Sequence, residues 1–234
     1  MKARNLITVC MLGGSIIFSE CLFSGCASMN NTGKGALIGG GSGAAVGAGI
    51  GAIIGKGKGA AIGAAIGTAI GSGTGALIGR RMDKQKKELE AIEGAKVESI
   101  KDANNLQAIK VTFDNGILFK HNQTSLNASA RESLTKFANS LKNSPDTDVT
   151  IYGHTDNTGT YEVNVRISGE RANTVANYLV NQGVSRARLT TKGMAYDQPV
   201  ADNSTAAGRA QNRRVEIYIS ANEEMIKKAE AGQL

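Results

Sequence analysis

Apolar and polar positions follow three different rhythms along the chain, and the changes of rhythm mark its parts. Residues 6–18 are uncharged and mostly apolar and follow Lys2 and Arg4. That is a basic start and an apolar run of signal-peptide length, too short for a comfortable bilayer span. Next comes a glycine at every fourth position from Gly35 to Gly79, with Ala, Ile, Leu and Val between. Residues 33–55 and 57–79 repeat one another, and Lys56, Lys58 and then Arg80-Arg81 punctuate the copies. Residues 80–92 are charge-rich, with Met82, Leu89 and Ile92 at helical spacing, and predict a short solvated helix stopped at Gly94.

From Lys96 the pattern becomes that of a folded domain. Residues 97–101 and 108–113 predict strands around an Asn104-Asn105 turn, and Ile117-Leu118-Phe119 a further strand fragment. Ala130, Leu134, Phe137, Ala138 and Leu141 predict a helix, capped by Asn127 or Ser129 and ended by Pro145. Residues 149–152 predict a strand. Ala172, Val175, Ala176 and Leu179 predict a second helix, stopped at Gly183. Residues 189–194 and 215–220 predict two more strands. The order β-α-β-α-β-β implies an α/β two-layer sandwich, a mixed β-sheet with its helices on one face.

The glycine repeat has two readings. In water each glycine costs a helix about 1 kcal/mol relative to alanine. In a bilayer the backbone must satisfy its own hydrogen bonds, and a period of four lines the glycines along one ridge where a second helix packs closely. This predicts a membrane-associated helical hairpin turning near Lys56–Lys58, with self-association through the same ridge open to it. The other reading is a flexible tether, which has no need of register. No phosphate-loop glycine pattern occurs in the stretch. The segment resembles the glycine-zipper segments of envelope lipoproteins.

Composition narrows the chemistry. The 234 residues carry a net charge of +7, which suits a membrane surface, a cell-wall polymer or nucleic acid. No dense Lys/Arg patch interleaved with aromatics is present, which argues against nucleic acid. The cysteines are Cys10, Cys21 and Cys26, so the domain that follows holds no disulfide, thiolate nucleophile or cysteine-bound metal. Leu22-Phe23-Ser24-Gly25-Cys26 resembles the bacterial lipoprotein signal, in which small residues precede the cysteine that is cleaved, acylated and left as the new N-terminus. Phe23 departs from the usual Leu, and an uncleaved anchor is the competing reading. In the lipoproteins it resembles, Asp after the cysteine favours the inner membrane; Ala27 stands there, which implies the outer membrane.

Residues 148–219 resemble the C-terminal domain of outer membrane protein A, shared with peptidoglycan-associated lipoprotein and flagellar stator proteins. The resemblance rests on Gly153-His154-Thr155-Asp156, Gly159, Asn164, Ile167-Ser168-Gly169-Glu170-Arg171-Ala172, Gly183-Val184, Gly193-Met194 and Asn212-Arg213-Arg214-Val215-Glu216-Ile217. It implies non-covalent binding of peptidoglycan through the diaminopimelate of the stem peptide, with Asp156 and Arg171 as the paired site residues. Asp156 would take the ligand's ammonium and Arg171 would fork onto its carboxylate. Arg171 is expected in the first turns of its helix, where backbone N–H groups add to anion capture. A structural salt bridge beside a helix cap is the alternative for this pair. Thr155, Asn164 and Ser168 are expected as polar wall or support, Ser168 equally as the helix N-cap. One of Arg213 and Arg214 is expected at the ligand and the other paired with Glu216, and Phe119 and Asn122 at the rim.

These readings divide the chain into a signal (1–25), a lipidated N-terminus (26–32), the hairpin (33–81), a charged connector (82–95), the peptidoglycan-binding domain (96–221) and a C-terminal tail (222–234). The expected protein is a lipid-anchored tether of the outer membrane to the wall, facing the periplasm, with no cofactor, metal site or catalytic residue. His154, Asp156 and Ser168 are triad types, but residue types are not geometry; His154 is expected to pack at the surface. A second reading makes the hairpin the working part, as a membrane oligomer or assembly modulator for which the wall is only an anchor.

Overall fold

The computed structural model describes residues 72–234 apart from 103, 115–117 and 120–122. The signal, Cys26, most of the glycine repeat, Ile117 and Asn122 lie outside the described residues.

Helix α1 (Ser72–Glu90) starts inside the glycine repeat and runs without a break through Arg80-Arg81. Ile78, Met82, Gln85 and Leu89 form its buried stripe, while Arg80, Arg81, Lys84 and Lys87 are exposed. The expected solvated connector is therefore part of the core; the charge that suggested solvation belongs to one face. Among the described residues no helix is long and apolar enough to cross a membrane.

A hairpin follows, β1 (Ala95–Lys101) and β2 (Gln107–Asp114). Its turn uses Asn105 at φ 59, a left-handed conformation that Asn tolerates. Asp102 pins the turn by accepting from the N–H groups of Asn104 and Leu106 at 2.8 and 2.9 Å. Helix α2 (Ala128–Asn143) is capped by Asn127, whose side chain accepts from the Ala130 N–H at 2.7 Å. Then come β3 (Thr147–Gly153), α3 (Tyr161–Asn181), a single 3-10 turn (Arg186–Arg188) and β4 (Leu189–Gly193). Helix α3 ends as predicted: Gly183 at φ 92 and the bond from the Val184 N–H to the Leu179 carbonyl close a Schellman-type cap.

A short helix α4 (Ala206–Asn212) that the pattern did not predict leads into β5 (Arg214–Ala221). The expected tail is a packed helix, α5 (Glu223–Glu230), with Met225, Ile226 and Ala229 buried and α1 as its neighbour. Its apolar positions are too few to stand out in so short a charged segment.

The sheet order is β1-β2-β5-β3-β4, with β3 and β4 parallel and the other pairs antiparallel. The expected mixed sheet with helices on one face is what forms. Ile109, Val111, Phe113, Val149, Ile151, Val215, Ile217 and Ile219 join the residues of α1, α2, α3 and α5 in one core cluster. The alternate positions of β5, Arg214, Glu216 and Tyr218, are buried on the other side.

Two glycines set the depth at which α3 lies on the sheet. A Cβ at Gly153 would overlap the carbonyl of Ser168, and one at Gly193 would come within 2.6 Å of the Val165 carbonyl. Gly169, odd for a helix interior, faces Gly193 at ordinary contact distance and leaves room for this approach. Gly153→Ala should destabilise the domain by about 3 kcal/mol, since backbone must move to admit the methyl. Thermal unfolding of the variant checks this; a Tm within 2 degrees or so of wild type would refute the close approach.

Candidate functional site

The sheet ends β3 at Gly153, and the chain leaves it as His154-Thr155-Asp156. The departure is fixed by backbone. His154 N–H donates to the Arg214 carbonyl at 2.9 Å and Thr155 N–H to the Ala195 carbonyl at 2.8 Å. Asp156 is thereby placed where the start of β5 delivers Arg213. The Arg213 Nη1 and Asp156 Oδ2 are 2.6 Å apart. The other carboxylate oxygen accepts from the Thr158 N–H at 2.9 Å. Burial alone would raise the Asp156 carboxyl, but the Arg213 guanidinium and the Thr158 groups outweigh it and hold it below the usual carboxylate range. The site therefore presents an anion with one oxygen committed and the other shared with an arginine whose side chain is a third exposed.

Arg171 comes from α3 but not from its start. The helix begins at Tyr161 with Thr160 as N-cap, its hydroxyl accepting from the Val163 N–H. Arg171 sits three turns further in, so helix-start N–H groups do not stand behind it; that expectation is corrected, as is Ser168 as the cap. The earlier start was hidden because Tyr161, Val163 and Val165 are exposed, which blurs the apolar period. Arg171 is itself buried. Its Nε and Nη2 both donate to the Gln123 carbonyl at 3.3 Å, and its guanidinium lies 5.5 Å from the Phe119 ring centre. Burial first and the like charge of Arg213 second lower its pKa, with Asp156 opposing them. The three charged groups feel one another: an acid, a guanidinium paired to it, and a second guanidinium held by a backbone carbonyl and an aromatic ring.

The remaining sequence-selected residues divide into wall and frame. Thr155 is buried beside Asp156, and among the described residues its Oγ1 has no hydrogen-bond partner. Asn164 donates to the carbonyls of Thr158 and Thr160 at 2.9 and 3.0 Å and so braces the loop after Asp156. Ser168 is fully buried; its hydroxyl donates to Val165 and accepts from the Ala195 N–H at 3.1 Å, locking α3 to the loop after β4. Of Arg213 and Arg214, it is Arg214 that pairs with Glu216. Arg214 is buried, donates to Glu216 Oε1 at 2.8 Å and to the carbonyls of Asn212 and Gln198, and does not pair with Asp156. Sequence reasoning missed the Asp156–Arg213 pair, which joins positions far apart in the chain, and the Gln123 carbonyl, which no side chain advertises.

His154 is buried rather than at the surface; its ring nitrogens have no hydrogen-bond partner among the described residues, and Glu216 is 3.7 Å away. Ser168 and Asp156 are each bonded elsewhere, so the three triad types do not form a triad. Among the described residues no cluster of His, Cys, Asp and Glu could hold a metal ion.

Burial, then the positive charge of Arg214, lowers the His154 pKa to about 4. The unfolded chain therefore takes up this proton first as pH falls below about 6.5, and folding stability drops between there and about 4. Asp102 acts in the opposite direction. Burial raises it to about 6, so the folded chain protonates first and gains stability as pH falls from about 6 to 3.8. The two offset each other in the wild type. Asp102→Asn should expose the histidine, as a stability loss on the order of 2 kcal/mol between pH 6.5 and 4. Urea titrations at the two pH values measure it, and a flat profile for the variant would contradict the assignment.

Comparison with known proteins finds two family matches along the chain. Residues 118–213 match the OmpA family and residues 1–83 the YMGG-like Gly-zipper. The chain is 39% identical over 221 residues to "Probable lipoprotein YiaD" of Escherichia coli, covering 94% of this chain and 99% of that one. It is 42% identical over 113 residues to "Peptidoglycan-binding protein ArfA" of Mycobacterium tuberculosis, covering 48% of this chain and 35% of that one. It is 40% identical over 105 residues to "Outer-membrane lipoprotein YfiB" of Pseudomonas aeruginosa, covering 45% of this chain and 62% of that one. The likeness thus extends over nearly all of the first relative and over a third to three-fifths of the other two.

Proposed function

Because the chain belongs to the OmpA family, with a glycine zipper ahead of that domain, we propose that it is a wall-anchoring outer-membrane lipoprotein, acylated at Cys26 and facing the periplasm. Its domain binds peptidoglycan without cleaving it. The names of its relatives support the wall and the membrane as its two partners. The observation that carries the finer reading is the meeting of Asp156, Arg213 and Arg171 at one end of the sheet.

The ligand feature that fits is a side-chain amino-acid head, such as that of diaminopimelate in the stem peptide. Its ammonium goes to the Asp156 oxygen that Arg213 now holds, since the other oxygen is committed to Thr158. Its carboxylate goes between Arg171 and the released Arg213, where two planar forks can take it. The Thr155 hydroxyl is free to accept or donate a further bond. Because Asp156 is already ionised and Arg171 already fixed, little ordering is needed on binding. Proton transfer is no part of this, and the groups are arranged to stay charged.

Sedimentation of full-length protein, in mild detergent, with purified sacculi from a diaminopimelate-containing wall tests the reading. Co-sedimentation that persists when lipid is absent and is competed by soluble stem peptide is expected. Protein that stays in the supernatant would remove wall binding.

The glycine repeat supports a membrane role for residues 33–71 only, because the hairpin expected over 33–81 loses its last turns to α1, which buries Ile78 in the core of the domain. Helix α1 carries the last positions of that repeat into the core of the domain, so the segment Ser72–Glu90 is not a loose tether.

A further inference from the structure

An aromatic pair beside the charged site is left unused by the reading above. Tyr161, the first residue of α3, is 45% exposed. It meets Tyr196 edge to face, with ring centres 5.5 Å apart and planes at 76°. Its hydroxyl donates to the Asp197 carboxylate at 2.9 Å. Val165, one turn along α3, is 40% exposed and continues the apolar surface. Single exposed apolar side chains are ordinary on protein surfaces. A pair of tyrosines held in one geometry by each other and by a carboxylate is a more specific arrangement, because the side-chain freedom is already spent.

The pair is tied to the site by backbone. Tyr196 follows Ala195, which has a left-handed φ of 45. The Ala195 carbonyl accepts from the Thr155 N–H, and its own N–H donates to Ser168. Tyr196 is thus aimed by a residue bonded on one side to the neighbour of Asp156 and on the other to α3. Tyr161 closes the other end of the Asp156 loop, the loop that Asn164 braces from within.

The chemistry of such a patch is that of saccharide recognition. A ring face accepts the C–H face of a pyranose, and a neighbouring carboxylate and phenol accept from hydroxyl and acetamido N–H donors. A stem peptide in the wall is attached to a chain of N-acetylated hexosamines, so a ligand with its peptide on Asp156 and Arg171 brings sugar to the rim. Resting on the wall-binding reading, we propose that Tyr161, Tyr196 and Asp197 form a saccharide subsite for an N-acetylated hexosamine of the glycan strand. The protein then reads peptide and glycan together, and prefers peptide still attached to the polymer over peptide that has been released.

Calorimetric titration of the full-length protein in detergent separates the two parts. The ligands are a disaccharide-bearing muropeptide and the identical stem peptide without sugar. Wild type should bind the muropeptide at least about fivefold more tightly. Tyr161→Ala should weaken only the muropeptide and erase the preference. Tyr161→Phe should keep most of it, and Asp197→Asn should lose part. Circular dichroism melts of each variant establish that the fold is intact, as expected for exposed positions. Equal wild-type affinity for the two ligands, or a Tyr161→Ala variant that retains the preference or weakens both ligands alike, would overturn the subsite alone. Failure of the wild type to bind either ligand would overturn the wall-binding reading, and the subsite with it.

Discussion

Arg171→Ala is expected to lose at least about tenfold in affinity for a diaminopimelate-containing wall fragment, with the fold retained. The magnitude follows from a charge-assisted hydrogen bond, roughly 1.5–3 kcal/mol. The guanidinium is fixed by the Gln123 carbonyl, which takes Nε and Nη2, and by the Phe119 ring, so it is pre-set rather than searching. Arg171→Lys should fall nearly as far, because an ammonium cannot fork onto a carboxylate or span the Gln123 carbonyl in the same way. The measurement is sacculus co-sedimentation alongside a thermal melt. Unchanged binding by a folded Arg171→Ala protein would remove this residue from the site.

The second large effect is on stability. Glu216→Ala should destabilise the domain by about 3–5 kcal/mol, seen as a fall in Tm on the order of 10 degrees. Glu216 sits buried on the sheet face away from the helices. Its carboxylate pairs with Lys110 at 2.8 Å and Arg214 at 2.8 Å, and accepts from the Tyr218 hydroxyl at 2.7 Å. Removing it leaves the Arg214 guanidinium buried without an anion. Burial alone would raise the Glu216 carboxyl, but these three partners draw it down to about 2. The sign follows. Its contribution is complete above the ordinary value of 4.5 and is lost as pH falls toward about 2, so variant and wild type should converge in acid. Because the pair is buried, added salt should change the difference little. A Glu216→Ala melt indistinguishable from wild type at neutral pH would contradict the network.

The same network shows what a sequence can and cannot reveal. The strands and main helices were legible because their apolar positions recur with periods of two and 3.6, and because Asn127, Pro145 and Gly183 carry start and stop chemistry of their own. The start of α3 was not legible, since its first turn exposes Tyr161, Val163 and Val165 to solvent and has no apolar face to count. The role of α1 was misread for the opposite reason: dense charge on its outer side masked Ile78, Met82 and Leu89, which enter the core. At the site, Asp156 and Arg171 were found through a family resemblance. Their company was not. Arg213 reaches Asp156 only because β5 lies between β2 and β3, an order that no local pattern encodes. Ser168 and Asn164, expected as polar wall or support, are bonded inward; a polar side chain in a motif gives its type and not its direction.

The arrangement has an economy that suits a tether. The groups proposed to bind stand next to strand ends and on a helix that lies close on the sheet at Gly153 and Gly193. Helix α1 brings the end of the glycine repeat into the core as one unbroken helix.

The central claim is that an acid and two guanidiniums read a zwitterionic amino-acid head. Its most direct test is a titration of the protein with two muropeptides that differ only in residue three of the stem, diaminopimelate in one and lysine in the other. Lysine keeps the ammonium and lacks the carboxylate, so the account predicts binding at least about tenfold weaker. Equal affinity for the two would show that Arg171 and Arg213 meet no carboxylate there, and the account would be wrong.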